Sequence, residues 1–145
     1  MAERGIAGSG GGPPERLRFQ DFEFDRMPSG RCRAKVVLGW ADGRAFSGQA
    51  DGMTSQAGEL RCAAVATVQA LEQAVELHVG FELLGVKAVR AFDATVVIVS
   101  LSVRTGGKAA RMVGSYLTEG DATRGAALAV LNATNRVLGN YFATR

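Results

Sequence analysis

Two short segments carry the residue types best suited to holding a small anion. One is Ala50-Asp51-Gly52-Met53-Thr54-Ser55; the other is Thr118-Glu119-Gly120-Asp121, with Gly114 and Ser115 just upstream. Each precedes a stretch of helical period. Backbone N–H groups converging at a helix N-terminus favour a carboxylate or another anion. Thr54, Ser55, Ser115, Thr118 and Asp121 add side-chain donors or acceptors, and Gly52 and Gly114 complete the candidate ligand-binding set. The competing account is ordinary N-capping by the same side chains. Capping is the commoner use of these residues, and the two roles can coexist.

Other chemistry fares less well. Gly106-Gly107-Lys108 resembles a phosphate loop, but Ser102 and Ala109 stand where the Walker spacing needs Gly and Ser or Thr. A hairpin turn is the better reading. His78 is the single histidine. It has no evident partner and falls near a helix end, where imidazolium suits the dipole. No Gly-x-Ser-x-Gly elbow is present. Glu72, Glu76 and Glu82 read as solvated residues rather than a catalytic pair. No catalytic residue is assigned. Cys32 and Cys62 lie in unrelated sequence contexts, without a CxxC or Cys/His cluster, so neither a zinc site nor any other metal or cofactor is expected. Asp21, Glu23 and Asp25 alternate on one segment, and Arg31, Arg33 and Lys35 on the next. Facing each other, they form a solvated ion-pair face with little net field.

The elements that must position these residues follow from hydropathy. The 145 residues are 47% hydrophobic and 21% charged, which excludes wholesale disorder and suits one domain. A net charge of +3 does not argue for nucleic acid. Residues 1–15 form a Gly/Ser/Pro tail, and 16–145 a single domain of two units, about 16–79 and 80–145. Leu17 and Phe19, then Phe22 and Phe24, alternate with a frame slip that suggests a bulge. Phe22 and Phe24 should face the core. Cys32, Ala34, Val36, Leu38 and Trp40 alternate on a second strand. Asp42-Gly43 marks a tight turn, and Arg44–Gln49 a third strand. A helix should run from Gln56 to Leu77, with Gly80 as its stop. Phe81–Phe92 reads as a strand kinked near Gly85. Ala94–Arg104 is apolar on both faces, so a central strand covered on both sides is expected. Ala110–Tyr116 and a helix over Ala122–Tyr141 complete the chain.

The two halves repeat. Arg61-Cys62-Ala63-Ala64-Val65-Ala66 aligns with Arg124-Gly125-Ala126-Ala127-Leu128-Ala129, and the order of strands, turns and loops matches. The expected fold is α+β: tandem β-β-β-α repeats with pseudo-two-fold symmetry, helices packed on antiparallel sheets. Helices so rich in apolar stripes should contact more than their own sheet, and a subunit interface is the natural outlet.

Met112-Val113-Gly114-Ser115, Asp121-Ala122 and Ala126-Ala127-Leu128-Ala129-Val130-Leu131-Asn132-Ala133-Thr134-Asn135-Arg136 carry a resemblance. Over about Leu17 to Leu138 the chain resembles the regulatory (allosteric, dimerisation) domain of the α-isopropylmalate synthase and citramalate synthase family. Two features depart from that family. The Gly-x-Gly-Pro of its first-half loop is replaced by Ala50–Ser55, and the chain has no room for the catalytic barrel. The resemblance implies a stand-alone, non-catalytic homodimer. It also implies a small amino-acid, keto-acid or hydroxy-acid effector such as leucine, or a partner enzyme of leucine biosynthesis. A purely structural assembly subunit is the alternative, and a nucleic-acid binder a weaker one. The start Met1–Gly5 lacks a signal-peptide pattern, and the longest apolar run, Ala94–Leu101, is far short of the roughly 20 residues of a membrane span. A cytoplasmic protein without a membrane partner is the expectation.

Overall fold

A computed structural model describes residues 17–75 and 79–143, with side chains through Asn135. The N-terminal tail and His78 lie outside the described residues. Eight elements follow in order: β1 (Arg18–Met27), β2 (Arg31–Gly39), β3 (Ala45–Met53), α1 (Gln56–Ala74), β4 (Val79–Ala91), β5 (Ala94–Thr105), β6 (Lys108–Thr118) and α2 (Ala122–Ala143). They build two antiparallel three-stranded sheets, ordered β1-β2-β3 and β4-β5-β6, with two helices. The fold is α+β.

The alternation on β2 decides its orientation. Cys32, Ala34, Val36 and Leu38 are fully buried, and the basic residues between them are exposed. The expected bulge lies between Phe19 and Asp21, and a second sits between Leu83 and Gly85, at the kink expected near Gly85. Phe22 and Phe24 pack against the core side, as their spacing implied. Gly43, Gly106 and Gly107 occupy left-handed turn conformations that L side chains rarely adopt.

The helices share the interior. α1 lies on β2 and β3, reaches β4 of the other sheet and packs along α2; α2 lies on β5 and β6 and touches β1. Their alanines make this possible. Ala63, Ala64, Ala66 and Ala70 of α1, and Ala126, Ala127 and Ala129 of α2, are fully buried. Small side chains let two helix backbones and a sheet approach together. Buried Thr67 and Thr134 hydroxyls donate to the carbonyls one turn back, Ala63 at 2.8 Å and Val130 at 3.0 Å, so neither polar group is orphaned.

This packing revises several expectations. Among the described side chains, through Asn135, the extra apolar stripes of the helices are covered by the other helix and the other sheet within one chain. β5 is central but covered on one face only. Val97, Val99 and Leu101 are fully buried, while Ile98 on the opposite face stays 37% exposed. α1 ends at Ala74, with Val75 already extended, three residues before Leu77 and well before Gly80. Its last turn carries Glu72 and no base, so no cation in that turn compensates the helix dipole. β3 runs on to Met53, four residues past Gln49. The ladder with β2 continues through Asp51–Arg33 and Gly52–Cys32, and this pairing overrides a loop-like composition. β4 begins at Val79, and β6 extends over Lys108–Thr118. No described helix is long and apolar enough to cross a membrane.

Candidate functional site

The candidate residues divide between two helix starts. Ser55 is the N-cap of α1; its backbone is extended and its Oγ accepts the Gly58 N–H at 3.0 Å. Asp121 does the same for α2. Its Oδ1 accepts from the Thr123 and Arg124 amides at 3.1 and 3.2 Å and from the Thr123 hydroxyl at 2.6 Å. Thr118 Oγ1 accepts the Gly120 amide at 3.2 Å, which bends the chain into that cap. Thr54 donates its own amide to the Gly30 carbonyl at 2.9 Å, tying the loop to the β1–β2 turn. Ser55 and Asp121 thus perform the capping role weighed above. Asp121→Ala is expected to cost about 1–2 kcal/mol in urea unfolding, and Ser55→Ala about 1 kcal/mol. The difference follows from three donors lost against one. Equal or negligible losses would show that water replaces these caps.

Gly114 and Ser115 sit elsewhere. Gly114 pairs with Val99 midway along the edge strand β6 and faces the middle of α2, against Ala129 and Ala133. The Ser115 carbonyl accepts from Asn132 Nδ2 at 2.7 Å. Gly114 is thus a packing glycine, matched by Gly48 against Ala66 and Ala70 of α1. It is not part of the helix start at Asp121.

Gly52, in contrast, lines a real recess. A groove of about 280 Å³ opens between the end of β3 and the first turns of α1. Asp51, Gly52 and Met53 form one wall, with Gly58, Arg61 and Cys62 opposite. Gly58 packs so closely on the Met53 carbonyl and Ser55 Oγ that no side chain fits there. Backbone therefore makes much of the floor. Arg61 is exposed at the rim. On the other wall Arg33 holds Asp51 through two bonds, at 2.8 and 3.1 Å. That hydrogen-bonded guanidinium keeps the Asp51 carboxyl below its usual range, and Arg33 is raised in return. A bidentate pair from Arg26 on β1 to Glu59 on α1, both bonds 2.8 Å, closes the same end of the molecule.

Three features here escaped the sequence. Arg33 pairs across to β3, although Asp25 stands opposite it on β1. The two cysteines meet. The Cys62 thiol donates to the Ala50 carbonyl at 3.0 Å and neighbours Cys32, whose thiol donates to the Met53 carbonyl at 3.4 Å. Burial pushes the Cys62 thiol up to about 12, which disfavours the thiolate form a nucleophile needs. The aligned arginines also differ in use. Arg61 borders the groove, whereas Arg124 stacks over the Phe19 ring at 4.7 Å. The two helix starts are therefore not equivalent. Contacts from residues 30 apart in the chain leave no local signal, although the shared Arg-x-Ala-Ala spacing could have drawn attention to Arg61.

Among the described residues no cluster of three or more His, Cys, Asp or Glu side chains could hold a metal ion. No protein-family model matches the chain, and no curated protein matches it.

Proposed function

We propose that this chain is a non-catalytic regulatory module that takes a small carboxylate metabolite in the groove beside α1. The supporting observation is that groove: apolar and backbone walls, with the Arg61 guanidinium at its rim and the capped helix start below it. Apolar walls suit a short aliphatic side chain, and a guanidinium suits a carboxylate. At about 280 Å³ the space is at the small end of the roughly 300–1,000 Å³ range of ligand pockets. A branched-chain amino acid, or the matching 2-keto or 2-hydroxy acid, is the class that fits both features.

The architecture belongs to the same reading. Two tandem β-β-β-α units, related by a pseudo-two-fold axis, each place a glycine-bearing third strand against an alanine-rich helix. That plan resembles the regulatory domain of the α-isopropylmalate synthase family. A homodimer, acting on a partner enzyme through ligand-biased populations, follows as the working role.

Thermal unfolding in the presence of leucine, isoleucine, valine and their keto and hydroxy acids tests the ligand. A ligand specific to the native state, at about 100 times its dissociation constant, adds roughly 2.7 kcal/mol. One member of the panel should raise the melting temperature saturably, and Arg61→Gln should abolish that rise without lowering the unliganded value. A flat panel would sink the ligand reading and leave an assembly subunit. That second reading has its own support, because Ser55 and Asp121 are already engaged as caps and Thr118 in the turn before α2.

A further inference from the structure

The first sheet carries a second recess at the end opposite the α1 groove. β1 starts there and the β2–β3 turn closes there, with Gly39 paired to Arg18 on one side and to Ala45 on the other. A pocket of about 340 Å³ lies at this end, within the roughly 300–1,000 Å³ of small-molecule sites. It sits about 20 Å along β2 from the groove at Gly52. Its walls combine two kinds of side chain. Phe19 and Trp40 supply ring surface, both partly buried against the core. Arg18 and Arg44 supply exposed guanidinium groups.

Local structure holds most of these groups in place. The Trp40 amide donates to the Arg44 carbonyl at 2.9 Å, and the Gly43 amide to the Trp40 carbonyl at 3.0 Å, so the turn closes on itself. The Asp42 carboxylate accepts the Arg44 amide at 3.0 Å and Arg44 Nε at 2.7 Å. The same guanidinium lies over the Phe46 ring at 5.8 Å. Arg44 is therefore oriented before any ligand arrives. Only its Nε is engaged; its two Nη groups make no hydrogen bond among the described residues. The Arg18 side chain makes neither hydrogen bond nor ion pair among the described residues. Two guanidinium groups are thus set against one carboxylate, which leaves a positive charge at the pocket. The Gln20 carboxamide lies over Gly39, in the space that a side chain there would take. It adds a donor and an acceptor to the lining.

We propose that this pocket binds a nucleotide unit, with its heteroaromatic base against Trp40 and Phe19 and its phosphate between Arg18 and Arg44. Each half of that ligand answers a feature of the wall. A flat base stacks on aromatic faces whatever its edge pattern. A phosphate matches the planar fork of a guanidinium. A dicarboxylate would leave the rings uncovered, and an aromatic cation would meet two like charges. The Gln20 carboxamide offers both a donor and an acceptor to a base edge. The same unit occurs as a free mononucleotide and along a single-stranded nucleic acid. Neither the carboxylate groove nor a dimer plays a role in this site.

Trp40 is the single tryptophan, so its fluorescence reports this pocket alone. The test is a titration of the full chain with adenosine monophosphate and with a single-stranded oligoadenylate. Saturable quenching by at least one of them is expected. Adenosine and inorganic phosphate, the separate halves, should each bind at least about tenfold more weakly than the intact unit. Arg18→Gln and Arg44→Gln should each weaken binding by about tenfold, as expected for one lost charge-assisted hydrogen bond. Arg31→Gln makes the same charge change at the far end of β2 and should leave binding unaltered. All three side chains are exposed, and an unchanged melting temperature checks that each variant folds. Quenching by the mononucleotide as tight as by the oligomer assigns the site to free nucleotides. Quenching by the oligomer alone, weakening as salt rises, assigns it to a single strand. No saturable quenching by either, with no uptake in equilibrium dialysis, overturns the site. An equal loss in Arg31→Gln also overturns it, because diffuse charge would then explain the binding. Inorganic phosphate binding as tightly as the nucleotide overturns the stacking of the base.

Discussion

Gly114→Val is expected to lower the unfolding free energy by at least about 3 kcal/mol, enough to unfold a marginal domain of this size. A Cβ at Gly114 would collide with the Ala129 carbonyl and the Ala133 amide of α2. Those are backbone atoms inside a helix, so they cannot rotate away. The strand would have to leave the helix, opening space around Ala129, Ala133 and Val99, all buried. Overpacking of side chains typically costs 1–3 kcal/mol, and backbone obstruction belongs at or beyond the top of that range. Gly114 has no left-handed φ, so the loss is steric and not conformational. Gly48→Val should behave alike, since its Cβ would meet the Ala66 carbonyl and the Ala70 amide. Gly85→Ala and Gly120→Ala are the controls: both positions have open space, and losses should stay below about 1 kcal/mol. Denaturant titration with a common m-value separates these outcomes. A mild Gly114→Val would mean that α2 and β6 are not in the contact described.

Leu101→Ala is the second large effect, at about 2–5 kcal/mol. Leu101 is fully buried among the helix-facing residues of β5, opposite Leu83 and Met112. Its truncation leaves a cavity in a core already built from alanines, whose short side chains cannot move in to fill it. Ile98→Ala, three residues earlier and on the other face, should cost the isolated chain less than about 1 kcal/mol. The pair measures directly whether β5 is covered on one face or two. Comparable losses in the monomer would restore the doubly covered strand that the sequence suggests.

That strand shows where a sequence stops being informative. Ala94–Leu101 is apolar on both faces, and hydropathy cannot distinguish a second layer of the same chain from a face awaiting a partner. The same ambiguity touched the helices. Alanine-rich stripes around α1 and α2 announced contacts beyond their own sheets. They did not say that the contact would be each other rather than a neighbouring subunit. Gly114 and Ser115 looked like ligand residues because they stand near a loop in sequence. Their neighbours, Ala129 and Asn132, lie a helix turn or more away from that loop.

Local pattern alone determined a good deal here. Alternation on β2, the slip between Phe19 and Asp21, the glycine turns and the helical period after Ser55 are properties of adjacent residues, with periods of 2 and 3.6 that backbone geometry imposes. So are the caps at Ser55 and Asp121, whose side chains reach amides only two or three residues on. Tertiary structure decided the rest. The extension of β3 to Met53 depends on hydrogen bonds offered by β2. The Arg33–Asp51 pair, the meeting of Cys32 with Cys62 and the groove at Arg61 depend on a helix lying across a particular strand. Which sheet face stays open depends on where both helices are spent. These are contacts between residues far apart in the chain. Their energies belong to pairs, and a single residue carries no record of the partner it will meet.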